Sequence, residues 1–251
     1  MRTFFVLWRR ELASCFLSPV AYITMIVFLL LAALSFVGGT WINMDSREPL
    51  PKLLTFSIAY WLPILIAVTS MRLFAEENRS GTIETLLTAP VTEAAVVFGK
   101  YAGALVFLCL VLIPPLASVF ILAAVSPGLT VSWQPAATVL DLGGLFGGVL
   151  ILVLLTAQCL AIGLLASVLT RNQIVAAITC ILATCAPLIV EFASSLFLPG
   201  GSAALRYLSV TAHLDAFSQG SIDTRIIALY LAGTLYPLFL ATRLLEARRW
   251  T

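Results

Sequence analysis

The chain has 251 residues, 61% of them hydrophobic and 10% charged, with a formal net charge of +2 and a mean hydropathy of +1.07. Soluble domains carry about 25% charged and about 45–50% apolar residues, and a water-soluble globule of this size could not hide so much apolar surface. A soluble enzyme, a disordered chain and a nucleic-acid binder, which would need a broad basic face, are excluded, leaving a polytopic membrane protein.

The first residues, Met1 to Ser14, hold Arg2, Arg9 and Arg10 ahead of an apolar run from about Val20 to Val37. That run is too long for a cleaved signal peptide and long enough for a retained span. Phe4, Phe5, Trp8 and Leu12 recur at helical spacing beside polar Arg2, Arg9 and Glu11. The pattern predicts an interfacial helix over residues 1–17, aromatic side in the acyl boundary and arginines toward headgroups. A loose cytoplasmic extension is the competing reading.

A hydrocarbon core of roughly 30 Å takes about 20 helical residues. Six stretches qualify: Pro19–Gly39, Leu54–Phe74, Tyr101–Val125, Ala136–Leu169, Gln173–Phe197 and Ile226–Thr242. Runs so long and continuous suit helices rather than barrel strands. The expectation is an all-α membrane protein with six transmembrane helices in one membrane domain, 1–251, without internal repeats.

Ten of the 14 basic residues fall on one side: Arg2, Arg9, Arg10, Arg72, Arg79, Lys100, Arg171, Arg243, Arg248 and Arg249. Only Arg47, Lys52, Arg206 and Arg225 fall on the other. The positive-inside rule then puts both termini in the cytoplasm, as an even number of spans requires.

Pro63, Pro114-Pro115 and Pro187 fall inside spans and favour kinks. The pairs Gly143/Gly147 and Gly144/Gly148 form two GxxxG motifs, read as internal packing with a subunit interface as the alternative. The five cysteines show no CxxC or Cys/His cluster, so they are read as small buried apolar residues, with no metal site.

The connection after the second span, read as cytoplasmic, is the most informative. Gly81 breaks the chain after a charged helix end, and Ser80 or Thr82 can cap a new short helix that Pro90 stops near Ala89. Thr92 can cap the helix leading into the third span, with Glu93 in its first turn. Ile83, Leu86 and Leu87 give the short helix an apolar side next to Glu84. Docking in another protein's groove and resting on the bilayer both fit these residues.

The segment from Phe74 through Glu76, Glu77, Arg79, Gly81, Thr82, Glu84, Leu87 and Pro90 to Val91, with Gly99-Lys100-Tyr101 after it, resembles the signature of type-2 ABC transporter permeases. Arg10-Glu11-Leu12 with Ser18-Pro19 is similar to that family's start, and Ala161–Ser167 with Thr170–Gln173 to its turn between spans four and five. Leu208-Ser209, His213–Phe217, Gly220–Asp223 and Glu246–Trp250 look closer to its gliding-motility-associated subgroup.

The resemblance implies a six-span half-transporter in the bacterial inner membrane, working as a dimer with a second copy or a homologous permease. Two copies of a cytoplasmic ABC ATPase would supply ATP and Mg chemistry, docking on a coupling region over 75–99. Within it, Glu76, Glu77, Arg79, Gly81, Thr82, Glu84, Leu87 and Pro90 would make the contact. A re-entrant outer helical element is implied over 198–225. Membrane lipids surround such a subunit, a partner with a large periplasmic domain is an optional addition, and nucleic acid has no place. No GxxxxGK[ST] occurs, since Gly99-Lys100 is followed by Tyr101 and position 94 is Ala94. The chain is therefore not read as an enzyme, and binds no cofactor of its own.

Asp141 and Glu191 are the acidic residues well inside apolar runs, each near the outer interface. With His213 and Asp215 of the fifth connection they are candidates for a translocation path or outer gate. Interfacial hydrogen bonding and a structural cap are the plainer readings. Three functions compete: an ATP-driven exporter, a mechanotransmission subunit that passes force to an envelope partner, and an ion-coupled secondary carrier, which would need buried ionisable groups at mid-depth and inverted repeats.

Overall fold

The structure, a computed structural model, describes residues 2–42, 49–81, 92–125, 131–132, 140–197 and 208–248. Within them the chain is helical apart from short connections and a two-residue parallel bridge: α1 (Arg2–Leu17), α2 (Pro19–Ile42), α3 (Leu50–Ser70), α4 (Ala75–Ser80), α5 (Glu93–Val125), β1 (Val131–Ser132), β2 (Leu140–Asp141), α6 (Leu142–Leu169), α7 (Gln173–Phe197), α8 (Val210–Ser218) and α9 (Thr224–Arg248). Among the described residues six helices are long and apolar enough to cross a membrane, matching the six predicted stretches in number and order.

Their limits differ in informative ways. The second span begins at Leu50, so Leu50-Pro51-Lys52, expected in a connector, belongs to α3. Proline suits the first helical turn, whose N–H groups have no intrahelical partner anyway, and Pro51 stands there after an extended Pro49. The third span begins at Glu93 rather than Tyr101, so 93–99 of the expected coupling region are the first turns of a membrane-length helix. There the N–H of Val96 donates to the Thr92 carbonyl at 3.2 Å. The fourth span begins at Leu142, not Ala136. Helices α3, α5 and α7 run through Pro63, Pro114-Pro115 and Pro187 without interruption, as α9 does through Pro237.

Helix α6 is the central post. It packs against α3, α5, α7, α8 and α9, and sixteen of its residues, from Gly144 to Val168, are buried. Close approach is made possible by glycine. A Cβ on Gly147 would lie 2.0 Å from the Phe217 carbonyl oxygen, one on Gly148 2.3 Å from the Thr55 hydroxyl, and one on Gly163 2.3 Å from the Ser70 hydroxyl. These motifs thus serve packing within the chain, as read from the sequence. All five cysteines are free, with Cys159 and Cys180 buried.

Hydroxyl groups inside the spans satisfy themselves locally. Thr55, Ser57, Thr156, Thr184 and Thr234 each donate to the carbonyl four residues earlier, at 2.6 to 2.8 Å. An apolar solvent offers no other partner, so this back-bonding lets polar residues enter the bundle at little cost.

The contacts separate two ends. At one lie α1, the start of α5, the finish of α3, α4 and the C-terminus of α6, joined through Glu11, Lys100, Phe74 and Ser167. At the other lie the start of α3, the finish of α7, α8 and the first turns of α9, joined through Lys52, Glu191, Asp215 and Tyr230. Helix α9, 25 residues long and so about 37 Å, leads from that second end back to the first. Both ends of the described chain therefore lie with Lys100.

Candidate functional site: a polar junction under α4

Helix α4 has the sequence Ala75-Glu76-Glu77-Asn78-Arg79-Ser80 and stops at Gly81, whose φ of +73° is left-handed. Glycine takes that conformation without the Cβ clash that other residues meet, so the break expected at Gly81 is present. Phe74 occupies the N-cap position and offers no capping side chain. The cap comes instead from α6: the Ser167 hydroxyl oxygen accepts the N–H of Phe74 at 3.0 Å and of Ala75 at 2.9 Å. It also donates to the Met71 carbonyl at 3.3 Å.

Asn78 returns the favour. Its amide donates to the carbonyls of Thr170 at 3.1 Å and of Ser167 and Val168 at 3.4 Å, closing orphan acceptors at the end of α6. Helix α4 and the C-terminus of α6 thus cap each other.

A buried cation ties this pair to the rest. Lys100, 6% exposed, contacts Glu77 at 2.9 Å and Glu11 at 3.2 Å, and stands 5.3 Å over the Phe74 ring. Three elements meet on one ammonium: α1 through Glu11, α4 through Glu77 and α5 through Lys100 itself. Removing one partner of such a buried pair costs about 3–5 kcal/mol, because the other charge is left without compensation. Alongside, Arg72 donates to the Ser18 hydroxyl between α1 and α2 and lies 3.6 Å from Glu76. That exposed pair contributes little to stability.

The predicted coupling residues divide accordingly. Glu76 and Arg79 are exposed, while Glu77 is half-buried against Lys100. Gly81 ends the helix. Thr82, Glu84, Leu87 and Pro90, and the short helix expected between Gly81 and Pro90, lie outside the described residues. Lys100, Glu11, Ser167 and Asn78 were not singled out as site residues from the sequence. The available signal was a lysine at the border of an apolar run, opposite acidic positions far away in the chain.

On α1, Leu7, Leu12 and Cys15 pack against the core of the bundle, and Phe5, Val6, Phe16 and Leu17 are exposed. Leu12 is therefore directed to protein, not to the acyl boundary as its spacing suggested. The reason is Gly103 of α5, where a Cβ would lie 3.1 Å from the Trp8 carbonyl oxygen and 3.2 Å from the Leu12 nitrogen, so the two backbones meet. Burial, followed by the nearby Glu11 carboxylate, pushes the Cys15 thiol up to about 11.

At the opposite end, Glu191 accepts hydrogen bonds from the hydroxyls of Ser209, at 2.6 Å, and Thr211, and from the Thr211 N–H at 3.5 Å. A carboxylate at the N-terminus of α8 also meets the positive end of the helix dipole. Asp215 pairs with Lys52 of α3 at 2.9 Å. His213 is 5% exposed, and its Nδ1 lies 3.4 Å from the Tyr230 hydroxyl. Three of the four outer candidates thus hold α8 against α7, α3 and α9. The fourth, Asp141, closes β2 immediately before α6, which corrects its expected place five residues inside a span. Average hydropathy carries the span across Asp141, but the helix starts only after that acid, which stands at a favoured position just ahead of a helix N-terminus.

A family profile described as ABC-2 family transporter protein matches residues 13–224. The chain belongs to that family. Its members are membrane components of ABC transporters, so this protein is an ABC transporter permease, and the match runs across α2 to α8, taking in both polar junctions except Glu11 and Tyr230. No curated protein matches the ABC-2 chain.

Proposed function

We propose that this ABC-2 permease is the membrane subunit of an exporter in the bacterial inner membrane, with both termini in the cytoplasm. A separate ABC ATPase, in two copies, would use ATP and Mg and press on the region around α4. The observation that carries this reading is the two-sided character of α4: Glu76 and Arg79 face out, while Glu77 and Asn78 fasten the helix to Lys100 and to the end of α6. A surface built to receive a push needs such an outward contact and such a seat.

In this reading Thr82, Glu84, Leu87 and Pro90 extend the docking surface. Helix α1 lies in the inner interface, its exposed Phe5, Phe16 and Leu17 toward acyl chains and its exposed Arg9 and Arg10 toward headgroups. The exposed apolar sides of α2 and α7, with Ile23, Ile26 and Leu30 and with Ile178, Leu182 and Ile189, face lipid or a second permease chain. Helix α8 is the re-entrant outer element, and its likeness to the gliding-motility-associated subgroup rests on the sequence motifs alone.

The test is co-purification from the native host. A nucleotide-binding subunit should accompany the wild-type protein and be lost on Glu84→Arg or Arg79→Glu. Retention of that subunit in both variants would remove the docking surface from this region.

A second reading, force transmission to an envelope partner, draws support from the backbone contact between Gly147 and Phe217, which joins α6 directly to α8. It predicts a partner with a large periplasmic domain bound at the α8 end and a closed permease dimer. An ion-coupled carrier gains nothing comparable, since Asp141 precedes its span and Glu191 is engaged by the end of α8.

A further inference from the structure

Beside the junction, α1, α2, α3 and α5 leave a crevice of about 450 Å³ between them, a size within the range of about 300–1,000 Å³ in which proteins hold small ligands. Its lining is of two kinds. Glu11, Ser18, Arg72 and Glu76 line it where helices end, and Val68, one turn before Arg72, Thr24, in the second turn of α2, and Phe107 line it along the spans. Leu17 and Val20 at its border are exposed. From Val20 the exposed Ile23, Val27, Leu30 and Leu34 continue along α2 at helical spacing. A polar floor thus opens onto an apolar stripe, the two halves that an amphipathic ligand requires.

The charges narrow the choice. Arg72 donates through Nη1 to the Ser18 hydroxyl, and its Nε lies 3.6 Å from Glu76, beyond hydrogen-bonding distance. A guanidinium has five N–H donors, so donors remain for a phosphate, the group its planar fork fits best. With Lys100 and Glu77 behind Glu11, three carboxylates stand around two cations, a net charge of −1. A purely anionic headgroup meets repulsion there, whereas a phosphate that carries its own cation does not. We propose that this crevice binds a phospholipid whose headgroup joins a phosphate to a primary ammonium, as in phosphatidylethanolamine. Arg72 and the Ser18 hydroxyl take the phosphate, Glu76 takes the ammonium, and an acyl chain follows Val20 and the stripe on α2. A quaternary ammonium has no N–H to give a carboxylate, so a choline headgroup fits less well. The lipid fastens the α1–α2 elbow to the end of α3. This inference rests on the α1 end of the bundle lying at a membrane face, as in the reading above.

The experiment titrates the purified chain, stripped of lipid in detergent, with phosphatidylethanolamine, phosphatidylcholine and phosphatidylglycerol of identical acyl chains, and with free phosphoethanolamine. Native mass spectrometry counts the bound species. Three variants accompany the wild type. Arg72→Gln removes the phosphate holder. Thr24→Phe fills the crevice without touching a charge, and the hydroxyl it removes donates only to the Val20 and Ala21 carbonyls of its own helix. Arg243→Gln alters an exposed arginine at the same end that is paired with Glu246, away from the crevice.

The wild type and Arg243→Gln should bind their first phosphatidylethanolamine about tenfold more tightly than either other lipid. Arg72→Gln and Thr24→Phe should each lose that preference. Equal affinity of the wild type for the three lipids overturns the proposal and leaves the crevice to another occupant, such as a second copy of the chain. A preference for phosphatidylglycerol, or a preference for phosphatidylethanolamine that survives Thr24→Phe, overturns it as well. Free phosphoethanolamine binding as tightly as the lipid would make this a site for a soluble phosphoester and end the lipid assignment. If Arg72→Gln fails to fold, Thr24→Phe decides. Binding in detergent is independent of which membrane face the crevice adjoins, so a negative result leaves the placement of α1 standing. That placement is tested separately, by labelling an Ala13→Cys variant without other cysteines in intact cells with a membrane-impermeant maleimide.

Discussion

Ser167 and Phe74 are ninety-three positions apart, yet the serine hydroxyl accepts the phenylalanine N–H at 3.0 Å at a point where both residues are fully buried. The start of one short helix is thus completed by the last turns of a long one. Ser167→Ala leaves the N–H groups of Phe74 and Ala75 buried without that acceptor, which costs about 1–3 kcal/mol. Thermal unfolding of the purified protein in detergent should begin several degrees lower. Ser167→Thr, which keeps the hydroxyl, should recover part of the loss.

Gly147→Ala puts a methyl group 2.0 Å from a backbone oxygen of α8, where no flexible side chain can give way. Overpacking of this kind costs about 1–3 kcal/mol, sometimes more. Gly38→Ala, in the exposed α2 with nothing within 4 Å of the new atom, should leave the melting curve unchanged or raise it slightly, since alanine is the better helix former. Equal effects from the two substitutions would contradict the close contact at Phe217.

Glu191→Gln keeps the size of the side chain but removes the negative charge that receives Ser209 and Thr211. Charge-assisted hydrogen bonds are about twice as strong as neutral ones. Amide hydrogen exchange over residues 208–218 should therefore accelerate, while exchange over α6 stays as in the wild type. Lys52→Met, which cuts the ion pair with Asp215, should act on the same segment.

The raised Cys15 thiol has a measurable sign. Its folded value of about 11 lies above the ordinary 9.0, so at pH 8 the thiolate fraction is about a hundredfold lower than for an unperturbed thiol. In a variant whose other cysteines are replaced, maleimide labelling at pH 8 should be correspondingly slow and should rise steeply only toward pH 11. Between those two values the folded state holds a proton that the unfolded state has lost, so this group makes stability fall as pH climbs through that window. Glu11→Gln removes one of the causes that raise the value and should speed labelling.

Much of this architecture is written in local composition. Span number, alternation of direction, the break at Gly81 and the tight packing of Gly147 and Gly148 all follow from residues close together in sequence. The misplaced features have long-range causes. Apolar residues on both sides of Asp141 carry the hydropathy from Ala136 past that single acid, so the composition does not disclose the β1–β2 pairing after which α6 begins. Lys100 counted in the sequence only as one of the basic residues of one side, because Glu11 and Glu77, which turn it inward, lie 89 and 23 positions away. Leu12 was assigned to lipid because the amphipathic pattern of α1 is the same whether its apolar side meets acyl chains or Gly103.

Helix α6 carries one junction at each extremity, Gly147 against α8 and Ser167 against α4. The nineteen residues between them make a strut of about 30 Å, bearing backbone against backbone at one tip and through a short serine hydroxyl at the other. A bend introduced midway, by proline at Leu155 for instance, would shorten the strut and unseat both tips together. Damage remote from either junction would then look, in any assay, like the simultaneous loss of two.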